Sequence, residues 1–73
     1  MTPTKITLDW DKGWIFTAVY ENDAFEVGDV GGEDSAAGLF NACRAACERL
    51  AVSTTSYKWS VINQRKIEAV LNT

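Results

Sequence analysis

The sequence predicts an α+β domain in the order β-β-β-α-β-β, with one amphipathic helix packed on one face of a small antiparallel or mixed sheet. Three observations carry this. Apolar residues alternate with polar ones from Lys5 to Trp10; two aromatic and β-branched runs flank Asn22 and Asp23; and from Ser35 the hydrophobic period changes to that of a helix. At 73 residues the chain makes one domain, residues 1–73, just below the size at which a single core stabilises itself comfortably. With 47% hydrophobic residues it has the apolar material to fold, and nearly all of it is needed.

In the first strand, Ile6, Leu8 and Trp10 alternate with Lys5, Thr7 and Asp9, the period-two pattern of a half-buried strand. Asp11, Lys12 and Gly13 supply a turn. The second strand, Trp14 to Glu21, is apolar on both alternating faces, which suits a central strand covered on each side. Asn22 and Asp23 tolerate the left-handed backbone of a two-residue hairpin loop, and the third strand runs from Ala24 to Val30. With that loop Glu21 faces Ala24, Tyr20 faces Phe25 and Ala18 faces Val27. Trp14, Phe16, Ala18, Tyr20, Phe25 and Val27 then share one face.

Gly31 and Gly32 end the strand, and Asp34 or Ser35 caps the helix from about Ser35 to Leu50. Glu33 and Asp34 suit its positive N-terminal dipole. Ala36, Leu39, Phe40, Cys43, Cys47 and Leu50 fall within an arc of roughly 100°, while Asn41, Arg44, Ala45, Glu48 and Arg49 face away. After the linker Ser53 to Ser56, Tyr57, Trp59 and Val61 alternate as a fourth strand. Residues Asn63 to Lys66 then turn into a fifth strand, Ile67 to Leu71, in preference to a short helix from Gln64 to Asn72. A right-handed crossover through the helix places the fourth strand beside the first and parallel to it, in the spatial order 3-2-1-4-5.

The residue inventory narrows the chemistry. Histidine is absent, which removes the commonest general base and metal ligand. Cys43 and Cys47, four apart on one helix, have Cβ atoms about 6 Å apart where a disulfide needs about 4 Å. No His or further Cys completes a tetrahedral metal site with them, and their place on the apolar arc reads as core packing. The expected strand order resembles ribonuclease H-type topology, whose metal-dependent catalysis needs converging carboxylates. Asp9 and Glu48 offer two, but Tyr57 to Ile62 has none and Glu48 faces away. The serines have no base to activate them, and Gly28, Gly31 and Gly32 lack the spacing of a phosphate loop. No catalytic, cofactor or metal residue is therefore assigned, and a binding protein is expected.

Charge is segregated. Residues 1–34 carry eight acids against Lys5 and Lys12, a net of −6, and the remainder carries a net of +3. From Glu21 to Asp34 there are six acids and no base. Such a run reads either as a solvated edge that blocks sheet aggregation or as a docking face for a basic protein. Phosphate repulsion disfavours direct nucleic-acid contact. The docking candidates are Glu21, Asp23, Glu26, Asp29, Glu33 and Asp34, with Trp14, beside a turn, as an aromatic candidate against its preferred reading as a core residue. Trp10 and Trp59 fit inner strand faces. No apolar run approaches the ~20 residues of a membrane span and Met1 to Lys5 lacks signal-peptide character, so a cytoplasmic monomer or homodimer is expected.

Two family resemblances follow from these residues. The segment Ile15 to Asp23, IFTAVYEND, with the local match AVYEN at Ala18 to Asn22, precedes a strand, an acidic loop and an amphipathic helix. In this it resembles small phage-encoded anti-CRISPR proteins of the type I inhibitor groups. The resemblance implies an inhibitor that binds a Cas protein or the multi-subunit surveillance complex, in the host cytoplasm, and blocks target DNA binding or nuclease recruitment. It assigns no individual residue. The three strands and helix of Lys5 to Leu50 also resemble the HicB-like antitoxin domain, which implies neutralisation of a toxin by binding. Val30, Gly31 and Gly32 stand where that family often has a Pro-Gly-Cys type of segment.

Overall fold

A computed structural model describes residues 1–72. Its elements follow the expected order: β1 (Lys5–Trp10), β2 (Trp14–Val19), β3 (Phe25–Gly31), α1 (Ala36–Leu50), a single 3-10 turn (Thr54–Ser56), β4 (Tyr57–Asn63) and β5 (Lys66–Leu71). The last segment is a strand, as the alternation of Ile67, Ala69 and Leu71 implies. Asn63 braces the β4–β5 turn, its Oδ1 accepting from the Arg65 amide at 2.8 Å.

The sheet order corrects the expected topology. The five strands lie as β3-β2-β1-β5-β4 and every neighbouring pair is antiparallel, so β5, and not a parallel β4, lies beside β1. In this place β5 is complementary to β1 on both faces. Against β1, strand β5 sets Glu68 near Lys5 (3.5 Å) and Lys66 near Asp9 (3.6 Å) on one face, and buries Ile67 and Ala69 beside Leu8 and Ile6 on the other. Lys58 and Ser60 of β4 offer no such complement to Lys5 and Asp9.

One face of this sheet carries α1 and holds the core. Ile6, Leu8, Trp14, Phe16, Ala18 and Ala69 are completely buried there, with Tyr57 closing one end. Each large apolar side chain so buried contributes about 1.5–3 kcal/mol before the cost of ordering it. The Tyr57 hydroxyl donates to the Pro3 carbonyl at 2.7 Å and the Leu71 amide to the Thr4 carbonyl at 2.9 Å, which fasten the start of the chain to the final hairpin. Cys43 and Cys47 are buried, unbridged core residues, as their place on the helix implies.

Ser35 caps α1, its hydroxyl accepting from the Gly38 amide at 3.0 Å, while Asp34 pairs with Arg65 at 2.7 Å. The buried stripe is Gly38, Leu39, Ala42, Cys43, Ala46 and Cys47. Gly38 lies against the Glu33 backbone, and with Ala42 and Ala46, spaced by four, it makes much of the buried stripe from small residues. That rotates the arc away from the expected one. Phe40, placed on the buried face by periodicity, is 61% exposed, and Ala36 is exposed as well.

Among the described residues, no layer covers the opposite face. Its rows run across the strands, with Phe25, Val19, Lys5, Val70 and Lys58 in one, and Val27, Thr17, Thr7, Glu68 and Ser60 in the next. The second face of β2, expected to be covered, is therefore the half-buried surface of Ile15, Thr17 and Val19.

Candidate protein-docking edge

The site is built by the β2–β3 hairpin, and its loop decides which residues are displayed. Asp23 has φ +66°, the Asp23 amide donates to the Tyr20 carbonyl (3.0 Å) and the Tyr20 amide to the Ala24 carbonyl (2.8 Å). Those bonds define a three-residue loop, Glu21-Asn22-Asp23, ending in a left-handed residue, in place of the expected two-residue loop. The extra residue shifts the pairing by one: Val19 faces Phe25, Ala18 faces Glu26, Thr17 faces Val27 and Phe16 faces Gly28. A one-residue shift exchanges the faces of a strand. Phe25 and Val27, expected beside Phe16 and Ala18 in the core, instead lie on the open face, 71% and 56% exposed.

The core side of β3 has Gly28 because nothing larger fits: a Cβ there would overlap the Phe16 ring and crowd the Arg49 guanidinium. Arg49 reaches from α1 over that ring, 5.7 Å from its centroid, and its Nη1 donates to the Asp29 carbonyl at 3.3 Å. At the far end the chain bulges between Asp29 and Gly31, with Asp29 Oδ1 accepting from the Gly31 amide at 2.8 Å.

The six candidate acids are all exposed, but they divide into groups. Glu21, Asp23 and Glu26 surround the hairpin loop, where the Tyr20 hydroxyl donates to Glu26 Oε1 at 3.2 Å; burial and then this carboxylate push the Tyr20 hydroxyl pKa up. Asp29 lies further along β3 on the open face. Glu33 and Asp34 follow the strand, roughly 20 Å from the loop for six residue steps. Asp34, bound to Arg65, is the one acid of the set whose carboxylate is paired with a cation; the carboxylates of Glu21, Asp23, Glu26, Asp29 and Glu33 have no cation within 4 Å among the described residues.

Trp14 does not belong to this surface. It is completely buried, its indole N–H donates to the Glu33 carbonyl at 2.7 Å, and its ring meets Trp10 edge-on at 5.5 Å. Of its two readings, exposed beside a turn or packed in the core, the second holds, because the loop after β3 folds back over it. Trp10 and Trp59 pack partly buried against the core, and the Trp59 indole donates to the Thr54 carbonyl at 2.9 Å.

Two further features bear on chemistry. Asp9 lies on the open face beside Lys66, whereas Glu48 lies on the outer surface of α1, so these carboxylates are on opposite sides of the sheet. Burial, then the neighbouring Cys47, pushes the Cys43 thiol up to about 11, and burial also raises Cys47, so neither is held as a thiolate. No group of three or more Cys, Asp or Glu side chains able to hold a metal forms among the described residues, nor any helix long and apolar enough to cross a membrane.

Sequence reading missed the apolar part of this edge, Phe25 and Val27. Gly28 was the available signal: a glycine inside a strand marks close approach of a neighbour, which puts Gly28, and not Val27, on the side of the large aromatic. No protein family, curated protein or solved structure matches the chain.

Proposed function

We propose that this chain is a non-enzymatic inhibitor that binds a basic protein surface through the acidic β2–β3 hairpin. One observation carries the reading. The carboxylates of Glu21, Asp23, Glu26 and Asp29 have no cation within 4 Å among the described residues and share one sheet edge with the exposed Phe25 and Val27, Glu26 on its α1 side and Asp29 on its open face, whereas Asp9, Asp34 and Glu68 are each paired within the fold. Uncompensated charge bordering apolar surface favours rapid, selective association with a partner of opposite sign.

The partner class comes from the resemblance of Ile15–Asp23 and the following elements to type I anti-CRISPR inhibitors: a Cas subunit or the surveillance complex, occupied so that target DNA binding or nuclease recruitment is blocked. The order of three strands and a helix over residues 5–50 supports a second reading, a HicB-like antitoxin that neutralises a toxin. Capture experiments separate them. The immobilised protein should retain a type I surveillance complex or its helicase-nuclease from purified components and not retain a HicA-type toxin; retention of the toxin alone would replace the first reading by the second.

A further inference from the structure

We infer that the outer edge of β3 is a strand-addition site for an extended, Lys- or Arg-rich segment of a partner protein whose apolar residues alternate with its basic ones. This deepens the proposed function and rests on it for the identity of the partner, but the mode of docking follows from the edge itself. β3 is the terminal strand of the sheet. The Tyr20 amide bonds to the Ala24 carbonyl, and the Val19 carbonyl accepts from Thr4 on the other side of β2. Alternation from that starting point directs the ladder bonds of β3 through Ala24, Glu26 and Gly28, and turns the N–H and C=O groups of Phe25, Val27 and Asp29 outward. Arg49 already engages the outward Asp29 carbonyl. Phe25 and Val27 keep outward backbone groups and, at the same residues, exposed apolar side chains on the open face.

A free strand edge is normally protected by Lys, Pro or a covering element. The β4 edge has Lys58; the β3 edge has neither Lys nor Pro, and its charges are all acidic. That sign selects the occupant. A second copy docking β3 on β3 would place acid on acid, and Arg65 and Lys66, beside β4, are already bound to Asp34 and Asp9. A strand from a basic partner would satisfy the backbone groups, cover Phe25 and Val27 with its apolar residues on the open face, and set its basic residues on the other face, with Glu26 and towards Glu21 and Asp23 of the loop.

The test uses the full chain with a capped eight-residue peptide of alternating lysine and valine, and an alternating glutamate–valine peptide as control. The basic peptide should bind, slow hydrogen exchange at the Phe25 and Val27 amides at least tenfold, and bind Val27→Pro at least tenfold more weakly. Proline is tolerated on an edge strand whose N–H faces outward, so this variant removes the docking donor and no ladder bond. The exchange readout is on wild-type protein and stands even if the variant does not fold. Binding of the acidic peptide, equal binding by a folded Val27→Pro, absence of binding, or protection centred on Phe40 and Val61 between α1 and β4 would each overturn the inference. If a Cas component is captured equally well by Val27→Pro, strand addition fails while the proposed function stands; if the peptide protects the edge but no Cas component or toxin is captured, the partner class fails and the docking mode stands.

Discussion

The Phe16 ring occupies the space that Gly28 leaves by having no side chain, so the pairing of β2 with β3 is fixed at one point by steric exclusion. The contact joins register to function. Because Gly28 must face Phe16, Val27 and Phe25 must face outward, which displays apolar side chains among the hairpin acids.

Gly28→Ala should therefore destabilise the fold by about 1–3 kcal/mol, as overpacked core positions do, and Gly28→Val by more. Denaturant unfolding monitored by tryptophan fluorescence measures this. Val27→Ala, one residue away on the exposed face, should change stability by less than about 0.5 kcal/mol. Equal costs at the two positions would contradict the register.

Gly38 gives a contrasting case on α1. In an exposed helix interior Gly→Ala gains up to about 1 kcal/mol, yet here a Cβ would overlap the Glu33 carbonyl. Gly38→Ala should lower the unfolding midpoint, against helix propensity.

The end of α1 offers the opposite sign. Ala51 has φ +56° while its amide and that of Val52 close the helix on the carbonyls of Glu48 (3.1 Å) and Cys47 (2.9 Å). Left-handed backbone costs a residue with a Cβ roughly 1–2 kcal/mol that glycine does not incur. Ala51→Gly should raise stability by about 0.5–1 kcal/mol, part of the gain being offset by the greater freedom of glycine in the unfolded chain.

Cys43 and Cys47 set the alkaline behaviour. Both folded pKa values lie above the ordinary thiol value, Cys43 at about 11, so the folded state holds its thiol protons more tightly than the unfolded one. Their contribution is fully present below the ordinary thiol pKa of about 9 and is lost as pH rises from there to about 11. Thermal midpoints should fall across that window in wild type and fall less in the Cys43→Ala, Cys47→Ala protein, which should itself be less stable at neutral pH by about 0.5–3 kcal/mol. Thiol reagents should label the native protein slowly and the denatured protein rapidly.

Local pattern made much of this fold legible. Period-two alternation located β1, β4 and β5, the helical period and Ser35 located α1, and two thiols on an apolar stripe implied core packing. What pattern did not carry was non-local. Whether β4 or β5 lies beside β1 involves partners distant in sequence, Glu68 and Lys66 with Lys5 and Asp9; the loop is three residues long with Asp23, and not Asn22, at positive φ; and the position of Phe40 goes with the seating of Gly38 against the Glu33 backbone. The acidic residues of the candidate edge were readable because charge needs no partner to be counted. The exposure of Phe25 and Val27 followed from register, and the fold of the loop after β3 decided between the core and surface readings of Trp14.

The central claim, that the hairpin acids dock a basic protein surface, is tested most directly by calorimetric titration of the captured Cas component with wild type and with the Glu21→Lys, Glu26→Lys double variant, each at low and at physiological salt, with circular dichroism confirming that both fold. The double variant should bind at least a hundredfold more weakly at low salt, from lost attraction and new like-charge contact, and the difference should narrow as salt screens partly exposed charges over about 8 Å. Equal affinity of the two proteins at low salt would contradict the claim.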